Sequence, residues 1–326
     1  MHLEGPSFWW QAEGTSLAAK LLSPLGAIYH WETQRRLKKP GARAGIPVIC
    51  IGNATVGGVG KTPFVRALGE ALQARGHAPH ILTRGYGGKE KGPYCVRPED
   101  DAAHVGDEPL LLARTLPVWV SRDRPMGAKA AKEAGASMIL MDDGFQNPSL
   151  QKSLSLMLVD AATLFGNDEV FPAGPLRERP EAAASRAGAL VAVLPGPETQ
   201  VPDRICALAD GKPVFRAWFE VEQSSIPDAP LHAFCGIGRP ERFERSLKES
   251  GGKILSFKAF PDHHPFSSDE IDALKADAIE AGATLVTTEK DYVRFPPERR
   301  DGITPIPGGM RIAEEEALLS LVENAE

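Results

Sequence analysis

Residues 52–63 read "GNATVGGVGKTP", a glycine-rich turn that ends in Gly-Lys-Thr. Backbone N–H groups of Gly57, Gly58, Val59 and Gly60, together with a helix N-terminus, can surround phosphate oxygens. Lys61 can then reach the outer phosphates, and the Thr62 hydroxyl can ligate Mg²⁺. The usual spacing is Gly-x4-Gly-Lys-[Ser/Thr]; here Thr55 stands in the first position. A second cluster, "ASMILMDDGFQN", runs four apolar residues into Asp142 and Asp143. Adjacent carboxylates closing a buried strand are costly unless a cation joins them, so these two are the candidate Mg²⁺ partners of Thr62. A solvent-exposed Asp-Asp-Gly turn is the plainer alternative, and the loop upstream favours the metal.

The nucleotide can be narrowed. Membrane-cycling ATPases that share Gly-Gly-Val-Gly-Lys-Thr carry a signature lysine where this chain has Val56. Guanine-specific enzymes use Asn-Lys-x-Asp, whereas the nearest string here, "TTEKD", lacks the asparagine and the spacer. ATP is the expected ligand.

These groups need elements to hold them. "IPVICI" before the loop is a short run rich in β-branched residues, and Phe64, Leu68, Ala71 and Leu72 after it share one helical face. Strand candidates follow at "HILT", "PVWVS", "SMILM", "LSLMLV" and "ALVAVL", with helical stretches between several of them. The expected fold is α/β, a P-loop NTPase-like, mostly parallel sheet with helices on both faces. After the proline-rich stretch near residue 196 a second, smaller α/β unit begins, in which Ser267 and Glu270 have capping-box spacing. The expected division is a helical segment at 1–40, a nucleotide-binding unit at 41–210 and a smaller unit at 211–326, with the boundary between 205 and 228. A ligand belongs in the crevice between the two units.

The chain has 326 residues and a net charge of -6, which argues against a protein devoted to nucleic acid. Cys50, Cys95, Cys206 and Cys235 lack Cys-x-x-Cys spacing and read as packed thiols rather than disulfides. In the N-terminal segment Leu17, Leu21, Leu25 and Ile28 are spaced for one helical face, with Phe8, Trp9, Trp10 and Trp31 near its ends and Arg35, Arg36, Lys38, Lys39 and Arg43 following. The uncharged run is too short for the roughly 20 residues that span a bilayer. Ser23 and Pro24 read as a helix start, so two short helices are expected. Their pattern suits a segment lying in the headgroups of an anionic membrane, with packing on the protein's own core as the alternative.

The ordered strings "GNATVGGVGKTP", "TRGYGG", "GDEP", "DDGFQ", "GPLRE", "GIGRPERF", "DHHPF" and "TTEKD" resemble the tetraacyldisaccharide 4'-kinase family across residues 52–291. Arg239 departs from it, standing where asparagine is expected. The resemblance implies transfer of the ATP γ-phosphate to the 4'-hydroxyl of a tetraacylated glucosamine disaccharide 1-phosphate in lipid A biosynthesis. It implies a glycolipid partner and a peripheral location on the cytoplasmic face of the inner membrane. On its residues alone, Asp107 of "GDEP" reads as a helix cap; the resemblance implies a catalytic base assisted by His263, with His264 as the weaker alternative. A metal cluster of Asp262, His263 and His264 is disfavoured because adjacent side chains diverge on an extended loop. Arg177, Glu178, Arg84 and Arg122 are candidates for anionic groups of substrate or nucleotide, and Tyr86 for a ring contact or turn packing. A nucleotide-switched membrane ATPase and a P-loop kinase for a soluble metabolite are the competing readings.

Overall fold

A computed structural model describes residues 5–11 and 16–325. Nine strands form the larger sheet: β1 (Val48–Gly52), β2 (Pro79–Thr83), β3 (Tyr94–Cys95), β4 (Val118–Val120), β5 (Met138–Asp142), β6 (Leu154–Asp160), β7 (Ala189–Leu194), β8 (Val214–Val221) and, from the end of the chain, β13 (Gly308–Ile312). The small sheet contains β9 (Leu231–Cys235), β10 (Ile254–Ala259), β11 (Thr284–Thr288) and β12 (Thr304–Ile306). Spatial order is β13-β8-β7-β6-β1-β5-β2-β4-β3 in one and β10-β9-β11-β12 in the other. Pairing is parallel except at the edges, where β13 runs antiparallel to β8 and β3 to β4.

Strand β1 is buried on both faces, which is why its sequence is continuously apolar rather than alternating. Ile49 and Ile51 face the core shared with Phe64, Leu68 and Leu72 of helix Lys61–Ala74, while Val48 and Cys50 face the opposite core with Met141 and Ala128. The register pairs Ile51 with Asp142 and Gly52 with Met157, so the carboxyl ends of β5 and β6 flank the start of the glycine-rich loop. After β1 the chain passes to one side through β2, β4 and β5 and returns to the other side with β6, which makes this the switch point of the sheet.

Two expectations need correction. The expected division at 205–228 assigned everything after it to the smaller unit, but β8, β13 and helix Glu315–Glu323 belong to the large sheet and its core. Met310 and Ile312 on β13, with Leu318, Leu319 and Val322, complete the core beside the loop helix, so the chain's end is claimed by apolar burial there. The small unit is therefore roughly the insertion 222–307, entered and left side by side where Glu222 N–H donates to Pro307 O at 2.9 Å. The second correction concerns the N-terminal segment, where no helix starts at Ser23-Pro24: Leu17–Leu37 is a single helix with Pro24 inside it. Ser16 is its cap, accepting from Ala19 N–H, and the Ser23 hydroxyl donates to Glu169 instead. An internal proline costs about 3 kcal/mol. Tertiary anchors offset it: Gly26 lies where a Cβ would come within 2.7 Å of Val170 O, and Gln34 donates to Glu178 at 2.9 Å.

The buried residues of that helix are Ala19, Gly26 and Thr33, whereas Leu17, Leu21, Leu25, Ile28 and Trp31 are exposed on its other side. Among the described residues no helix is long and apolar enough to cross a membrane. The capping box at Ser267 and Glu270 is formed. Cys50 and Cys235 are buried and Cys95 and Cys206 exposed, all as free thiols.

Candidate functional site

A cavity of about 2260 Å³ lies between the units. The glycine-rich loop, Asp107, Asp142 and Asp143 line it from the large unit; Arg239, Arg242, His263, Lys290 and Arg294 line it from the small one. At one end its wall includes Trp9, Trp10, Tyr29, Arg36 and Lys39 of the N-terminal segment.

The loop is built for close approach. Gly57 and Gly60 have φ of 110° and 92°, a region that favours glycine, and Gly60 caps the helix that starts at Lys61. Behind the loop runs the "GPLRE" segment: Val56 N–H donates to Pro175 O and Arg177 N–H to Ala54 O, each at 2.7 Å. Asn53 organises the interior of the turn. Its amide donates to the Thr55 carbonyl and hydroxyl at 3.0 and 2.9 Å, and its oxygen accepts from Lys61 Nζ at 3.0 Å. Thr55 thus fills the position of the usual first glycine with a hydroxyl that is itself bonded.

Asp142 and Asp143 diverge in role. Asp142 is buried at the end of β5, and its Oδ1 has no hydrogen-bond partner. Burial, then the charges of Glu108 and Asp143, push its carboxyl up to about 7. Asp143, in the left-handed region at φ 50°, points to the cavity, where Lys61 Nζ lies at 3.5 Å and Arg177 at 2.8 Å. Its recess is the largest single influence and would raise its pKa, but Lys61 and Arg177 together hold it well below the ordinary carboxylate range. Among the described residues no three His, Cys, Asp or Glu side chains gather as a protein-only metal site. The unpartnered Asp142 oxygen and the Thr62 hydroxyl belong to residues lining one cavity, a donor set that suits Mg²⁺, which takes one or two protein ligands and completes its shell with phosphates and water.

Across the cavity, Asp107 opens helix Asp107–Leu112 after Gly106, its Oδ1 accepting from Glu108 N–H at 3.0 Å. Its Oδ2 accepts from His263 Nδ1 at 2.9 Å and from Arg294 Nε at 2.9 Å and Nη2 at 2.5 Å. The other ring nitrogen of His263, Nε2, lies 3.4 Å from Lys290 Nζ. Burial alone would raise the Asp107 pKa; the His263 hydrogen bond and the charges of Lys290 and Arg294 outweigh it and hold the carboxyl well below its ordinary range. His264 turns elsewhere, bonding Glu270 at 3.0 Å and stacking on Phe260.

The structure brings together Lys61, Thr62, Asp142, Asp143, Arg177, Asp107 and His263 on one cavity, with exposed Arg84, Arg122 and Tyr86 on its wall. Glu178 is a correction: it is fully buried off the cavity, its oxygens taken by Gln34, Gln146 and Arg186, and it anchors the N-terminal helix instead. Sequence reasoning missed Asn53, Arg294, Lys290 and Asp160. Lys290 stood inside a quoted motif, but nothing in its spacing signalled that the fold would bring it beside His263. Arg239 bridges the units, reaching Asp160 at 2.9 Å and Thr163 at 2.9 Å, with Arg242 on the same carboxylate.

Comparison with known proteins decides the family. The profile described as tetraacyldisaccharide-1-P 4'-kinase matches residues 18–325. The chain belongs to the tetraacyldisaccharide 4'-kinase family. A tetraacyldisaccharide 4'-kinase of Bradyrhizobium sp. (strain BTAi1) is 47% identical over 327 residues, covering 97% of this chain and 94% of that one. One from Parvibaculum lavamentivorans is 50% identical over 299 residues, covering 89% and 86%. The crystal structure of LpxK from Aquifex aeolicus in complex with ATP superimposes with a TM-score of 0.74 at 29% identity, over 95% of this chain and 99% of that one. Tetraacyldisaccharide 4'-kinases are phosphotransferases with an alcohol acceptor, and the P-loop sheet described above is the fold of the family.

Proposed function

We propose that this chain phosphorylates the 4'-hydroxyl of a tetraacylated glucosamine disaccharide 1-phosphate with ATP, working at the cytoplasmic face of the inner membrane. The observation that carries this reading is the cavity itself: the phosphate loop, the Asp107–His263 pair and the aromatic, basic end of the N-terminal segment open into one space. Phosphoryl transfer asks the protein chiefly for alignment and charge stabilisation.

The loop N–H groups and Lys61 hold the donor phosphates. Thr62 and Asp142 would hold Mg²⁺, which when bound neutralises phosphate charge. Asp143 fixes Lys61 and Arg177 so that both cations stay on the γ-phosphate side. Asp107 accepts the proton of the acceptor hydroxyl, while His263 orients its carboxylate. Arg84 and Arg122, exposed on the cavity wall, are available to the acceptor's 1-phosphate. On the membrane side, the exposed face of Leu17–Leu37 enters the apolar boundary while Arg36 and Lys39 meet anionic headgroups.

The test is transfer of label from γ-labelled ATP to the glycolipid in mixed micelles, measured beside ATP hydrolysis without acceptor. Labelled lipid with little acceptor-free hydrolysis supports the reading. Vigorous acceptor-free hydrolysis, with no labelled lipid and attachment to vesicles only with ATP, points to a membrane switch instead.

A further inference from the structure

The two members of the Asp107–His263 pair belong to different units. Asp107 stands on the large one, and His263 lies in the insertion, so their 2.9 Å contact depends on how the insertion is seated. Arg294 is placed to set that seating. Its Nε and Nη2 both reach Asp107 Oδ2, and its Nη1 donates to Gly236 O at 3.0 Å and to Asp291 Oδ1 at 2.7 Å. The same Gly236 carbonyl accepts the His263 backbone N–H at 3.1 Å. Asp291 holds the preceding peptide, accepting from Gly236 N–H at 2.9 Å and from the Thr288 hydroxyl at 2.7 Å. Both groups that touch Oδ2 are therefore registered to one peptide of the small unit. A guanidinium fork holds such a geometry, whereas an ammonium fixes only a distance.

We propose that Arg294 is the positioning residue of the pair: it docks the insertion on Asp107, saturates Oδ2 together with His263, and leaves Oδ1 as the oxygen that takes the acceptor proton. The inference rests on the reading of Asp107 as base. A carboxylate oxygen has about two lone-pair sites, and Oδ2 already has donors on it from both Arg294 and His263; Oδ1 has only Glu108 N–H. In the step itself the acceptor O–H bond breaks and its proton goes to Oδ1. The acceptor oxygen bonds the γ-phosphorus, the bond from that phosphorus to the bridging oxygen breaks, and ADP leaves with that electron pair. The other charges facing the carboxylate are Lys290 and Asp291 of helix Glu289–Tyr292, Asp262 beside His263, and Glu108 on Asp107's own helix.

The experiment compares wild type, Arg294→Ala, Arg294→Lys, Asp107→Ala and the double variant Asp107→Ala/Arg294→Ala, following kcat against pH with the glycolipid in micelles. Arg294→Ala is expected to lower kcat about 100-fold, the size of effect that misplacing a reacting group produces. KM for ATP should stay within about threefold, since only an interaction outside ATP binding is removed. Its acidic limb should move to higher pH, because the carboxylate loses a cation. Arg294→Lys should recover only part of the loss, methylguanidinium should partly rescue Arg294→Ala, and the double variant should be no slower than Asp107→Ala. If Arg294→Ala does not fold, the limb position of Arg294→Lys carries the test. Wild-type kcat and limb in the Arg294 variants, or a fully additive double variant, overturn the inference while leaving the base intact. Wild-type turnover by Asp107→Ala would instead overturn the reading beneath it.

Discussion

Replacing Leu21 and Leu25 by serine tests what the N-terminal helix is for. Leu21 is 72% exposed and Leu25 53%, and neither belongs to a hydrophobic core cluster, so both side chains are free to enter another apolar phase. Full burial of a leucine is worth about 2 kcal/mol, and scaling by those exposures puts the loss for the pair at about 2.5 kcal/mol. That corresponds to about a 60-fold weaker partition onto vesicles. Because exposed substitutions away from caps and ion pairs stay within about 0.5 kcal/mol of wild type, unfolding midpoints should not move. The assay is co-sedimentation with phosphatidylglycerol-containing vesicles, beside urea unfolding of the same preparations. Binding that persists at wild-type strength would refute the membrane role of this face. A drop in the unfolding midpoint would show instead that these leucines serve the protein's own packing.

Asp142→Asn, which keeps the shape of a buried side chain but removes its charge, should raise the Mg²⁺ concentration for half-maximal activity by about tenfold or more; an unchanged Mg²⁺ titration would remove Asp142 from the metal. Glu178→Ala should cost about 2–4 kcal/mol in urea unfolding, since it leaves Gln34, Gln146 and Arg186 without their acceptor and Arg186 is only partly hydrated; unchanged stability would refute its anchoring role. Asp107 is depressed in the folded state, so below the ordinary carboxylate range the unfolded chain binds more protons. Its contribution to stability is full above a pH of about 4 and is lost as pH falls further. Asp107→Asn should flatten that acid limb in chemical unfolding, and a limb identical to wild type would contradict the linkage.

The parts of this molecule that were legible in its sequence are those written in local pattern. Strand β1 announces itself by a β-branched run, the loop by glycines at left-handed positions, and the Ser267–Glu270 capping box by its spacing. The misreadings share a physical cause, which is that distant burial outvoted local signals. Ser23-Pro24 has the chemistry of a helix start, yet contacts at Gly26 and Gln34 hold the helix through it. Residues 308–323 return to the large sheet because Met310, Ile312 and Leu318 complete its core, a fact held in no short window. The site divides in the same way. Lys61 and Asp142 stand at the ends of recognisable elements, whereas Arg294 touches Asp107 across 187 positions of chain and Glu178 is turned away by partners from three separate segments.

The central claim is that Asp107 takes the proton while the γ-phosphate moves from ATP to the lipid hydroxyl. The most direct measurement is the single-turnover rate of label transfer to the tetraacylated disaccharide 1-phosphate, wild type against Asp107→Ala, with ATP and lipid affinities measured on both. The account predicts a rate lower by about 10²–10⁴-fold with affinities nearly unchanged. A variant that transfers label at the wild-type rate, or that loses affinity alone, would contradict it.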